Sequence, residues 1–187
     1  MKLKEILDST ELLNTTHFTG TDKNTTHGFI DFFYEREFEK YKDKKISLLE
    51  IGMEVGGSIY LWGKYFQNGE ITGVDVEDKI HERWKSLPNT KFIINDAYEI
   101  AFIETLPNFD IIIDDGPHTL DSQILCIERY LPKLKEGGIM VIEDVQDASH
   151  LEILKKHTPV ELQNKTEMID LRFSKGRYDD LLFVIRK

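Results

Sequence analysis

The sequence predicts a doubly wound α/β fold, and three observations point to it. Five short apolar runs, at residues 46–52, 71–76, 91–96, 109–115 and 138–145, are continuous rather than alternating, as strands covered on both faces are. Segments with helical spacing lie between them, the pattern of strands joined by crossover helices. Each run carries an acid at or near its C-terminal end, the edge at which open α/β sheets bind ligands.

In chain order, Leu3, Ile6, Leu7, Leu12 and Leu13 predict a short amphipathic helix. "TTHFTGTDKNTTHG", residues 15–28, is rich in Thr, Asn, Asp and Gly and reads as a loop. Phe29, Phe32, Phe33 and Phe38 then fall near helical spacing, which predicts a helix over 29–41. The charges of "EREFEKYKDKK" form its solvated face. Between the strand candidates, helices are predicted at 58–66, 80–86, 98–105 and 121–134, the last striped by Ile124, Ile127, Leu131 and Leu134. Asp121 and Asp147 are the candidate helix caps. Tyr60 and Trp62 are expected to pack rather than to touch a ligand. At the end, "MIDLRF" and "LLFVIRK" flank "SKGRYDD", so a hairpin should add an antiparallel strand. The expected organisation is one compact unit, with helices and a lid-like loop over 1–45 and the sheet domain over 46–187.

At 187 residues a chain buries roughly 70% of its unfolded surface and needs no staples. The net charge of −10 repels nucleic-acid phosphates; a cation or a small ligand suits it better. The expected partner is a small-molecule substrate, with no nucleic acid and no membrane; a homo-oligomer is compatible with this. One cysteine, Cys126, excludes an internal disulfide. The first residues lack the apolar core of a signal peptide, and no stretch nears the ~20 apolar residues of a span. A cytoplasmic location is expected.

The first strand candidate runs into "EIGMEVGGS", a strand, a glycine turn and a helix start. Gly52, Gly56 and Gly57 let a ligand approach the backbone, but their spacing is not G-x-G-x-x-G. Asp75, about twenty residues on, suits ribose hydroxyls. Asp96 can accept from an adenine amino group, and Glu50 supplies another acceptor. "EIGMEVGG", "GVDV" and "NDA" together resemble the first three cofactor motifs of the class I S-adenosylmethionine-dependent methyltransferases. The resemblance implies a Rossmann-like seven-stranded sheet of order 3-2-1-4-5-7-6 with the seventh strand antiparallel. It also implies S-adenosylmethionine held by Glu50, Gly52, Gly56, Ser58, Asp75, Asp96, Ala97 and Asp114.

Asp114 and Asp115 end the fourth strand candidate, and Glu143 and Asp144 end the fifth. Neighbouring strands lie about 4.8 Å apart, and two unit charges about 4 Å apart repel by about 4 kcal/mol at an effective dielectric of about 20. Protonation, solvent or a divalent cation can relieve such crowding. All-oxygen donors suit Mg²⁺, Mn²⁺ or Ca²⁺, and no Cys/His set with zinc spacing is present. His118, three residues past Asp115, has a ring that titrates near neutrality.

"GTDKNTTHGF", "LLEIGMEVGGSIYLW", "DIIIDDGPH" and "LKEGGIMVIEDV" together resemble the metal-dependent sugar O-methyltransferases. That resemblance makes Asp115, Glu143 and Asp144 the metal ligands and His118 the general base. It assigns the loop with Thr21, Asp22, Lys23 and His27 to closing over cofactor or substrate, Lys23 and His27 making polar contacts. His150 is a further candidate for substrate. Two departures stand out. Pro117 replaces a serine frequent in that family, and the sequence carries no large N-terminal extension, so a different substrate cover and different oligomer contacts are expected. The alternatives are a nicotinamide-dependent oxidoreductase, disfavoured by the missing glycine pattern, and a non-catalytic ligand-binding module.

Overall fold

The computed structural model describes residues 1–10, 12 and 20–187; the expected contribution of Leu13 and most of the first half of the 15–28 loop lie outside them. The strands are β1 (Ser47–Ile51), β2 (Glu70–Asp75), β3 (Thr90–Ile94), β4 (Phe109–Asp114), β5 (Leu134–Ile142), β6 (Thr166–Asp170) and β7 (Leu181–Arg186). They form one sheet in the order β3-β2-β1-β4-β5-β7-β6. The first five are mutually parallel, and β7 runs antiparallel to both β5 and β6. This is the expected topology.

Successive strand residues face opposite sides of a sheet, and here that alternation builds two cores. Leu48, Ile111, Ile113, Ile139 and Val141 pack with the N-terminal helices and with α3 (Gly57–Tyr65). Leu49, Ile51, Ile112, Met140 and Ile142 pack on the other side with α4 (Ile100–Thr105), α5 (Leu120–Tyr130) and α6 (Ala148–His157). The N-terminal α1 (Leu3–Thr10) contributes Leu3, Ile6 and Leu7 to the first core. At full burial, each such side chain contributes roughly 1.5–3 kcal/mol.

Several boundaries differ from the sequence reading. The helix expected at 29–41 is broken into a π-helical turn (Ile30–Tyr34), one α turn, α2 (Glu35–Phe38), and a 3₁₀ turn (Glu39–Tyr41). It still buries Phe29, Phe33, Phe38 and Tyr41 and leaves Phe32 exposed. The segment at 80–86 forms a 3₁₀ turn, Glu82–Ser86. α5 stops at Tyr130 because Pro132 cannot donate to the helical ladder; Leu134, expected on that helix, instead opens β5. The exposed "KEG" at 135–137 hides this early start in the sequence. Thr119, not Asp121, caps α5, in a reciprocal box with Ser122. Asp147 does cap α6, accepting from Ser149 N. The link between β6 and β7 contains a short helix, α7 (Arg172–Lys175), closed by Gly176 in the left-handed region. Trp62 packs as expected, fully buried against Tyr34 and Phe38, and Tyr60 packs on Trp84. No helix among the described residues is long and apolar enough to cross a membrane.

Candidate active site

The parallel register aligns the strand tips. Ile51 pairs with Asp114 and Asp114 with Ile142, so the next residues, Gly52, Asp115 and Glu143, stand side by side. Asp115 N donates to Ile51 O at 2.9 Å and Glu143 N to Asp114 O at 2.9 Å. Alternation then sorts the acids. Glu50, Asp115 and Glu143 continue the rows of Leu48, Ile113 and Val141 and face the N-terminal layer. Asp114 belongs to the opposite row. It is buried beside Tyr98, whose hydroxyl donates to Oδ1 at 2.9 Å, and burial raises its pKa to about 6.

Lys23 enters the row of three acids. Its Nζ lies 2.7 Å from Asp115 Oδ2, 2.5 Å from Glu143 Oε2 and 3.3 Å from Glu50 Oε1, and the side chain is 1% exposed. Burial alone would lower its pKa; Asp115, Glu143 and Glu50 outweigh this and hold it well above the usual value. Lys23 is therefore not a polar contact on the cleft surface, as the sequence reading expected, but a buried counter-charge. Glu50 also departs from expectation. It is fully buried, accepts from Trp62 Nε1 at 2.6 Å, and lines neither of the two clefts described below. Glu143 accepts from Lys23 at one oxygen and from the Tyr34 hydroxyl at the other, and Gln123 Nε2 donates to its backbone carbonyl at 3.1 Å.

Asp115, His118 and Asp144 converge on one point. One donor atom from each lies within 4.8 Å of the others. His118 Nε2 is 3.0 Å from Asp115 Oδ1 and 3.6 Å from Asp144 Oδ2. Asp144 Oδ2 and Asp115 Oδ1 face one spot, a set of oxygen donors that suits a hard cation, while Asp144 Oδ1 lies 3.4 Å from His27 Nδ1 and has no hydrogen-bond partner among the described residues. The residues thus fit a hard divalent cation at Asp115 and Asp144, with the imidazole beside it. His118 and Asp144 both have positive φ, +57° and +51°, a conformation that costs a non-glycine residue and is concentrated at functional sites. Burial, with Asp115 adding to it, raises the Asp144 pKa to about 7. For Asp115 burial acts upward too, but Lys23 and His118 prevail and hold it at about 2.

A cleft of about 340 Å³ lies on one side, lined by Gly20, Thr21, Asp22, His27, Gly52, Met53, Glu54, Ser58 and Asp115, among others. Gly52 (φ +80°) makes the tight turn, and a Cβ there would lie 1.9 Å from Asp115 O. Gly20 crosses the start of α3 so closely that a Cβ on Gly57 would lie 2.0 Å from its carbonyl oxygen. Gly56 (φ +86°) caps α3. Asp75 braces this turn: its Oδ2 accepts from Met53 N at 3.1 Å and Glu54 N at 2.8 Å. Asp96 is exposed and accepts from Tyr98 N at 2.8 Å, and Ala97 is buried in the second core. Neither Asp75, Asp96, Ala97 nor Asp114 lines the cleft itself.

A second cleft, on the other side of His118, is lined by Pro117, His118, Thr119, Leu120, Gln146, His150, Tyr178 and Asp179. His150 thus shares a wall with His118, and its Nδ1 is buried with no hydrogen-bond partner among the described residues. His27, on the loop, sits elsewhere: Nδ1 lies 2.6 Å from Asp180 Oδ1 and 3.4 Å from Asp144 Oδ1, and the ring stacks on Phe29. Sequence reading missed Asp179 and Asp180. A signal for them existed, because β7 is antiparallel and its start lies at the edge where the parallel strands end. It also missed Tyr34, Trp62 and Tyr98 as partners of the acids, which no local pattern announces.

A seven-stranded sheet of this order, with a glycine turn, a cleft at the first strand tip and acids at the fourth and fifth, defines a Rossmann-like methyltransferase fold. Residues 49–145 match the family described as "Methyltransferase domain", and the chain belongs to it. This removes the nicotinamide reading. The 8-demethyl-8-alpha-L-rhamnosyl tetracenomycin-C 2'-O-methyltransferase of Streptomyces olivaceus is 31% identical over 68% of this chain and 35% of its own length. The mycinamicin VI 2''-O-methyltransferase of Micromonospora griseorubida is 32% identical over 65% of this chain and 33% of its own. The chain therefore spans about a third of the length of these relatives. A solved structure of the MycE methyltransferase from the mycinamycin pathway, in complex with Mg and SAH, superposes with TM-score 0.72 at 21% identity, over 100% of this chain and 55% of that one.

Proposed function

We propose that this chain carries an S-adenosylmethionine- and divalent-cation-dependent centre for O-methylation of a small molecule, a sugar or other vicinal diol. The observation that carries this reading is the convergence of Asp115, His118 and Asp144 between two clefts. That similar proteins are named sugar O-methyltransferases supports it.

In this reading the cofactor enters the cleft at Gly52 and Ser58, beside the Gly56 turn, and extends beyond it to the tips of β2 and β3. Asp75 accepts from the ribose and Asp96 from the adenine, and the loop from Thr21 to His27 covers it. Asp115 and Asp144 hold Mg²⁺, with Glu143 beside them. When bound, the cation supplies Lewis-acid polarisation of an acceptor hydroxyl. His118 takes the hydroxyl proton. The oxygen forms a C–O bond to the methyl carbon as the C–S bond breaks, and the electron pair stays on sulfur, leaving a neutral thioether. The acceptor occupies the second cleft, where His150, Gln146 and Tyr178 offer hydrogen-bonding groups. Much of the rate comes from alignment of oxygen, carbon and sulfur.

The test is release of S-adenosylhomocysteine with a panel of glycosides and catechols. Chelation is expected to abolish turnover and Mg²⁺ to restore it. His118→Ala should lower turnover by about 10²–10⁴-fold with cofactor affinity nearly intact. Full activity in chelator, or in His118→Ala, refutes the corresponding role.

A further inference from the structure

Lys23 is the group in this site that the proposed chemistry leaves without a task. Four carboxylates crowd the tips of β1, β4 and β5: Glu50, Asp115, Glu143 and Asp144. One ammonium, carried in from the N-terminal loop, stands among the first three. It lies 92 residues from Asp115 and 120 from Glu143 in sequence. Lys23 takes one oxygen of Asp115 and one of Glu143, and the Tyr34 hydroxyl takes the second oxygen of Glu143. Asp115 Oδ1 and Asp144 Oδ2 remain on the side of His118, 3.0 Å and 3.6 Å from its Nε2.

Two physical consequences follow. First, the ammonium relieves the repulsion that the strand tips impose, so the acids can be held together before any dication arrives. Second, a fixed positive charge in contact with a ligand carboxylate repels an incoming dication in the same low-dielectric surroundings. Formally the four acids and Lys23 sum to −3; without the ammonium the sum is −4. We propose that Lys23 is a positioning residue of the cation site: a built-in counter-charge that holds Asp115 and Glu143 in place and weakens the hold of the site on a divalent cation. The inference rests on the cation site of the proposed function and adds a residue to it. It also ties the loop to the site: the segment that lines the first cleft reaches Asp115 and Glu143 through this ammonium, and Asp180 through His27.

The experiment is calorimetric titration of the full chain with Mg²⁺ alone. Lys23→Met removes the repulsion and is expected to bind Mg²⁺ ~10-fold or more tightly than wild type. Glu50→Gln moves the charge the other way. Glu50 lies outside the Asp115–His118–Asp144 set, and the amide oxygen still accepts from Trp62, so the variant is expected to fold and to bind more weakly, again by ~10-fold. The double variant, with the charge sum of wild type, should return to within a few-fold of it. If Lys23→Met does not fold without cation, Glu50→Gln and the double variant carry the test. Unchanged or weaker binding by Lys23→Met, or no change in Glu50→Gln, overturns the inference. Binding by none of the proteins, wild type included, rejects the cation site of the proposed function instead.

Discussion

Whether His118 can act as a base depends on what occupies the carboxylates around it. Burial alone would lower its pKa; the hydrogen bond to Asp115 and the charges of Asp115, Asp144 and Glu143 outweigh this and raise it to about 9. Two units above neutrality leave the ring neutral in about one molecule in a hundred at pH 7. The cation-free site therefore rests with an imidazolium, which cannot accept a proton. A dication held by Asp115 and Asp144 reverses the field at Nε2, and the pKa is expected to return to its ordinary ~6.5 or below. At pH 7 about three quarters of the molecules then hold a neutral ring, a gain of roughly 70-fold in available base before any polarisation of the acceptor. NMR of the imidazole C–H signals against pH, with and without saturating Mg²⁺, measures this directly. His118→Gln identifies the resonance among the six histidines. A midpoint that stays near 9 in the presence of Mg²⁺ refutes the argument, and with it the pairing of base and cation in one centre.

Two further outcomes follow from the same geometry. Gly52→Ala combines a positive φ with a Cβ 1.9 Å from Asp115 O; left-handed strain of ~1–2 kcal/mol and overpacking of ~1–3 kcal/mol should lower stability by ~2–5 kcal/mol in urea unfolding. Gly56→Ala has the strain but a nearest contact of 3.1 Å, so an equal loss in both would show that contact with Asp115 is not the cause. His27 is raised to about 9, burial opposing and Asp22, Asp144 and Asp180 prevailing. A raised folded-state pKa stabilises fully below the unfolded value of ~6.5 and is lost as pH rises through about 9, here by on the order of 3 kcal/mol. Unfolding free energies of cation-free wild type should fall across that window, and His27→Gln should start lower and fall less; parallel curves would remove His27 from the balance.

The sequence alone determined the sheet. Continuous apolar runs alternating with helical stripes are local patterns. They fix strand and helix because burial on two faces needs one spacing and burial on one stripe needs another. They also placed an acid at each parallel strand tip, and parallel register did the rest, bringing Asp115 next to Glu143. Strand parity, legible as well, separates Asp114 from Asp115: Ile111 and Ile113 share the row of Asp115, and Ile112 that of Asp114. What the sequence did not contain was the identity of each acid's partner. Nothing near Asp115 or Glu143 in the chain announces Lys23 or Tyr34, and nothing next to Glu50 announces Trp62. Such contacts are made only when the loop and helices fold back over the sheet, and their energy depends on distance and dielectric rather than on neighbouring residues. The sequence posed the problem of crowded charge at two strand tips. The tertiary structure solved part of it with an ammonium from the far end of the chain, because a buried carboxylate is held by whatever charge the fold brings within reach.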